Sequence, residues 1–151
     1  MKLIINVLLL WPKLIASYFP WAGPLIARIT VGYVFMLTGW GKLQHLDQVT
    51  EYFTTLGIPF AQIMAPFVAG LECFGGLFLI FGLLTRICGG GLAVTMIVAI
   101  ISARLTDIDS LHTLLGYEET LYLVVFTWLA INGAGKASID YILEKRFSTE
   151  N

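Results

Sequence analysis

Apolar residues are gathered into four long runs, at about 24–42, 63–84, 87–103 and 118–135, separated by short polar stretches. A bilayer's hydrocarbon core is roughly 30 Å thick and needs about 20 apolar helical residues to cross it. The pattern therefore predicts an all-α protein, a four-transmembrane-helix antiparallel bundle forming one integral membrane domain over 1–151. The fourth run is short and opens with Glu118 and Glu119, which suit the headgroup level. Gly82-Leu83-Leu84-Thr85-Arg86 is a short turn, so the second and third spans should be antiparallel neighbours.

The connecting segments have patterns of their own. Lys2 and Leu3 to Leu10 resemble the start of a signal peptide, but no small-x-small cleavage site follows and Trp11-Pro12-Lys13 interrupts the run. Residues 1–23 read as an interfacial helix with an aromatic belt of Trp11, Tyr18, Phe19 and Trp21. Residues 43–63 hold an amphipathic piece ending near Leu56, broken by Gly57-Ile58-Pro59. Residues 104–119 form a polar loop with Arg104, Asp107, Asp109, His112, Glu118 and Glu119, and 136–151 are an amphipathic, charged tail.

Within the spans, small and polar residues recur at helical spacing. Arg28, Gly32, Phe35, Gly39 and Lys42 make one stripe along the first span. Ala65, Ala69, Glu72, Cys73 and Gly76 share a face of the second, and Gly91, Thr95, Ala99 and Ser102 share one of the third. Small residues mark the faces on which membrane helices approach one another. All three stripes are expected to be packing faces.

Composition agrees with a membrane location. The 151 residues are 58% hydrophobic and 13% charged, with mean hydropathy +0.83, against roughly 25% charged in soluble domains. A net charge of -1 gives no basic footprint for nucleic acid. Lysine and arginine are distributed unequally. Lys2, Lys13, Arg86, Lys136, Lys145 and Arg146 fall on one side of a four-span topology, and only Lys42 and Arg104 on the other. That asymmetry puts both termini in the cytoplasm. Cys73 and Cys88 form no CxxC and have no histidines at metal-ligand spacing, so they read as small core thiols rather than metal ligands.

Glu72 is the candidate for chemistry. A carboxylate inside an apolar span is costly and by default marks a functional site. Its small-residue neighbours turn it toward the other helices. If the first and second spans start at one outer plane, Glu72 lies about 13 Å deep, level with Tyr33 or Val34. Arg28 is then slightly nearer than Lys42, which favours an Arg28–Glu72 pair with Lys42 above it at the outer mouth. The pair either fixes helix register or lines a buried polar pocket walled by Phe35, Trp40, Phe74, Phe78 and Trp128. His45, one turn beyond Lys42, is a secondary candidate, and Cys73 beside Glu72 keeps a redox option open.

Arg28, Gly32, Gly39 and Lys42, then Gly57-Ile58-Pro59, Glu72-Cys73-Phe74-Gly75-Gly76 and Gly82-Leu83-Leu84-Thr85-Arg86, follow in an order that resembles the DoxX family of small four-helix membrane proteins. The likeness covers roughly residues 24–135, the fourth helix by hydropathy alone. It implies a bacterial cytoplasmic (inner) membrane protein linked to redox chemistry, with Arg28, Lys42, Glu72 and Arg86 as family-typical polar positions. Three functions follow. The chain is a redox-associated subunit using a quinone, its cofactor, or a partner oxidoreductase at Glu72; or it is a non-catalytic membrane scaffold for a soluble redox enzyme; or it is a small-molecule transporter. Four spans without an inverted repeat weigh against the last unless oligomerisation supplies more.

Overall fold

The computed structural model describes residues 6–148, so Lys2 and the ends of the N-terminal and C-terminal segments lie outside the described residues. The described chain is helical, and no strand occurs in it. A π-helical turn, Asn6–Leu10, leads into α1 (Trp11–Tyr18). The core elements are α2 (Ala22–Gln44), α4 (Ala61–Phe81), α5 (Thr85–Ala99) and α7 (Glu118–Asn132). Shorter helices connect or follow them: α3 (Leu46–Thr55), α6 (Leu111–Gly116) and α8 (Ile139–Ser148). α5 continues through a π turn, Ile100–Arg104, and a 3-10 turn, Leu105–Asp107.

Among the described residues three helices are long and apolar enough to cross a membrane: Ala22–Gln44, Ala61–Phe81 and Thr85–Asp107. α7, expected as a fourth span, has 15 helical residues. At 1.5 Å per residue it extends about 22 Å, and it ends where Gly133 adopts φ +80.

The helices associate chiefly as two tight pairs, α2 with α4 and α5 with α7, joined where α4 meets α5. Glycine sets the α2–α4 spacing. A Cβ on Gly32 would lie 2.7 Å from the Gly76 carbonyl oxygen, and one on Gly76 2.5 Å from the Met36 nitrogen. A Cβ on Gly39 would run into the Cys73 nitrogen. The two stripes expected to pack do so. Arg28, Val31, Gly32, Phe35 and Gly39 are buried on α2, and Ala65, Ala69, Glu72, Cys73, Gly75 and Gly76 on α4.

The stripe on α5 behaves differently. Its buried face is Thr85, Cys88, Gly89, Leu92, Ala93 and Met96, with Gly89 against the Phe126 and Ala130 backbone of α7. Thr95, Ala99 and Ser102 instead line a cavity, and Gly91 meets the Leu71 side chain. Small size permits close approach but does not require it. Here the bulkier Leu92 and Met96 hold the core, with Phe35, Leu79, Phe126 and Leu129. Edge-on contacts of Phe35 with Phe126 (4.7 Å between ring centres) and with Tyr122 (5.0 Å) tie α2 to α7.

Candidate functional site

Glu72 pairs with Lys42 and not with Arg28. Lys42 Nζ stands 2.6 Å from Glu72 Oε1. The expected depth failed because the spans do not start at a common plane. Gly39 seats against Cys73 and Ala69, and Gly32 against Gly76 and Ile80. That register brings the level of Glu72 near Thr38, one helical turn from Lys42, and puts Arg28 level with Gly82.

Arg28 has a different task. It is fully buried, and its guanidinium donates from Nη2 to the Ala137 carbonyl at 2.5 Å and from Nη1 to the Leu79 carbonyl at 3.5 Å. Asp140 lies close enough to attract it electrostatically. The Asp140 carboxylate accepts from the Leu84 and Thr85 backbone N–H groups at 2.7 and 2.9 Å, which caps the start of α5. The Asp140 N–H bonds the Gly82 carbonyl at 2.9 Å. Gly82 has φ +67, and a side chain there would collide with the guanidinium. Arg86 donates to the Ala130 and Ile131 carbonyls at the end of α7. Arg28 and Arg86 thus serve one junction between the α4–α5 turn, the end of α7 and the start of α8. Asp140 was legible only as one charge in a polar tail.

Around Glu72 the arrangement is more open. Glu72 is 3% exposed and Lys42 31%. Glu72 Oε2 is buried without a hydrogen-bond partner, and a buried acceptor left unsatisfied costs about 1–3 kcal/mol. Both residues line a cavity of about 490 Å³. Its aromatic walls are Phe35, Tyr52, Phe53, Phe67 and Tyr122. Of the walls expected from sequence only Phe35 contributes; Trp40, Phe74 and Trp128 face outward, and Phe78 packs on the core. α3, the amphipathic piece of the first loop, supplies Tyr52 and Phe53, which its spacing alone did not reveal.

Polar groups complete the lining. Thr38 Oγ1 donates to the Val34 carbonyl at 2.8 Å, and Thr95 Oγ1 and Ser102 Oγ donate to Leu92 and Val98 carbonyls at 2.7 Å each. Glu118 and Glu119 also line the cavity, and Glu119 accepts from Arg104 Nε at 3.1 Å. Arg104 in turn sits 5.1 Å from the Tyr117 ring centre.

The secondary candidates fall outside this cavity. His45 is exposed, with Nδ1 3.1 Å from the Gly41 carbonyl oxygen. Cys73 and Cys88 are free, buried thiols, Cys73 with its backbone against Gly39. Arg86 borders a second cavity of about 610 Å³ at the Arg28 end, with Asp140, Lys136 and Glu144. Among the described residues no three His, Cys, Asp or Glu side chains converge as metal ligands.

Known proteins resemble the chain over most of its length. CatD of Bacillus subtilis, which carries a provisional oxidoreductase name, is 33% identical over 120 residues, 78% of this chain and 84% of its own. The inner membrane protein YqjF of Escherichia coli is 31% identical over 125 residues, 83% of this chain and 95% of its own. Rv3486 of Mycobacterium tuberculosis, named only as a membrane protein, is 29% identical over 148 residues, 90% of each chain. No solved structure matches. The DoxX family model matches residues 23–105, a span that stops short of α7 but contains Arg28, Lys42, Glu72 and Arg86. With more than half the sequence matched, the chain belongs to the DoxX family of membrane proteins.

Proposed function

We propose that this is a multi-pass bacterial inner-membrane protein, a redox-associated subunit that binds a quinone head group in the Lys42–Glu72 cavity and acts with a partner oxidoreductase. In this reading α2, α4, α5 with its continuation, and α7 all span the bilayer, and both termini are cytoplasmic. The inner-membrane name of YqjF and the excess of Lys13, Arg86, Lys136, Lys145 and Arg146 at one end support that placement. The provisional name of CatD supports the redox assignment.

The observation that carries the binding site is the unpartnered Glu72 Oε2 beside a largely apolar cavity of ring-sized dimensions. Apolar walls with a few convergent polar groups characterise small-molecule sites. Lys42 offsets the charge of Glu72 while engaging only one of its two oxygens. The outward Val94 and Val98, both exposed, give the cavity a side open to lipid, the phase in which quinones dissolve.

The test is mass spectrometry of lipids extracted from protein purified in mild detergent. We expect near-stoichiometric head group, counted as quinone plus quinol from an anaerobic extract, with the wild type and markedly less of the total with Glu72→Gln. A folded wild-type protein that yields no quinone, and binds none when it is added back, would falsify this reading and leave the non-catalytic anchor in its place.

A further inference from the structure

We infer that the cavity takes its ligand as an uncharged hydrogen-bond donor, so that a quinone's reduced dihydroxy form binds in preference to its oxidised diketone form. This rests on the quinone reading of the same cavity and concerns which state of the head group the side chains recognise.

The selection lies in what the lining can offer. Glu72, ion-paired to Lys42, is a carboxylate whose oxygens only accept hydrogen bonds. Its Oε2 is buried and has no donor. The hydroxyls of Thr38, Thr95 and Ser102 each direct their proton to a carbonyl one turn back on their own helix, leaving lone pairs for anything beside them. Glu72 and these three hydroxyls therefore offer acceptors to a ligand and no free proton. A ligand hydroxyl that reaches the Glu72 carboxylate supplies the proton that Oε2 lacks, whereas a ligand carbonyl there sets oxygen against oxygen. The remaining N–H groups of Lys42 and the Tyr52 and Tyr122 hydroxyls do not discriminate, because they can donate to a carbonyl or a hydroxyl oxygen alike.

Charge restricts the ligand further. The cationic Lys42 is outnumbered in the lining by Glu72, Glu118 and Glu119, and Arg104 answers only Glu119. An anionic head group is repelled there, which excludes phosphates, carboxylates and a deprotonated quinol.

The test uses the full chain in lipid nanodiscs under anaerobic conditions. Binding of decyl-ubiquinol is compared with decyl-ubiquinone and with the bis-methyl ether of decyl-ubiquinol, which keeps the shape and removes both donors. A hydrogen bond to a charged acceptor supports at least about tenfold tighter binding of the quinol than of either other compound. Glu72→Gln offers a donor as well as an acceptor, and the ratio should fall below about threefold. The ether comparison needs no variant, so a poorly folding Glu72→Gln does not blunt it. Quinone or ether binding as tightly as the quinol overturns the inference and leaves the quinone reading standing. So does a preference undiminished in folded Glu72→Gln. If none of the three binds, the quinone reading itself fails.

Discussion

Arg28 and Glu72 are both charged groups buried in apolar helices about ten residues apart along the α2–α4 seam, and they have opposite surroundings. Arg28 is enclosed by the Leu79 and Ala137 carbonyls with Asp140 nearby, and it borders neither cavity. Its Nε is buried without a partner, like Glu72 Oε2, but Arg28 lines neither of the two cavities. Glu72 has one side-chain partner and one free oxygen, and a cavity beside it. Burial of charge therefore does not distinguish a structural tie from a binding site. The distinction lies in whether the partners belong to the chain's own backbone and whether room is left for another molecule.

Substitutions should separate the two ends. The largest effect is expected for Arg28→Met, which strands the Leu79 and Ala137 carbonyls, removes the positive charge near Asp140 and should cost about 4 kcal/mol. It should appear as a sharply lowered melting temperature in detergent that no single second-site change restores. Lys42→Met comes next, at about 3 kcal/mol, because it leaves the Glu72 carboxylate buried without a counter-charge. Here a partner change should help. The double variant Lys42→Met/Glu72→Gln removes both charges and should recover most of the loss, since a buried pair is often replaceable by neutral groups. If the double variant melts no higher than Lys42→Met, the pairing is not what Lys42 contributes.

Two smaller effects test the frame that holds these ends apart. Gly39→Ala forces a methyl into the Cys73 backbone and should cost about 2 kcal/mol by overpacking. Gly70→Ala meets nothing within 4 Å and serves as its control. Equal melting of the two variants would contradict the α2–α4 register. Asp140→Ala removes the acceptor at the start of α5 and should cost about 1 kcal/mol. It should raise proteolysis at the Gly82–Leu84 turn while leaving the Lys42–Glu72 end unaltered, as judged by ligand retention.

Much of the membrane architecture was legible in the apolar pattern. The apolar runs expected at 24–42, 63–84 and 87–103 fall on Ala22–Gln44, Ala61–Phe81 and Thr85–Asp107, helices long and apolar enough to cross a membrane, whereas the run at 118–135 gives the shorter α7. The α2 and α4 stripes were readable because helix periodicity assigns faces without knowledge of the partner. The α5 stripe misled because Gly91, Thr95, Ala99 and Ser102 look the same whether a neighbour approaches or a space is left. The aromatic walls of the cavity also escaped, since Tyr52 and Phe53 come from a loop helix whose docking depends on the surface beneath it.

The sequence by itself determined that Glu72 is an isolated carboxylate on the small-residue face of an apolar helix, with Arg28 and Lys42 on one facing stripe. It could not decide which cation reaches it. Periodicity gives the angle of a residue about its helix axis but not the sliding of one helix along another. That axial register comes from seating Gly32 and Gly39 against Gly76 and the Cys73 backbone, contacts between residues more than thirty positions apart. The tertiary structure alone brought Lys42 to Glu72, drew Arg28 to the far junction, and left a cavity lined by the Lys42–Glu72 pair.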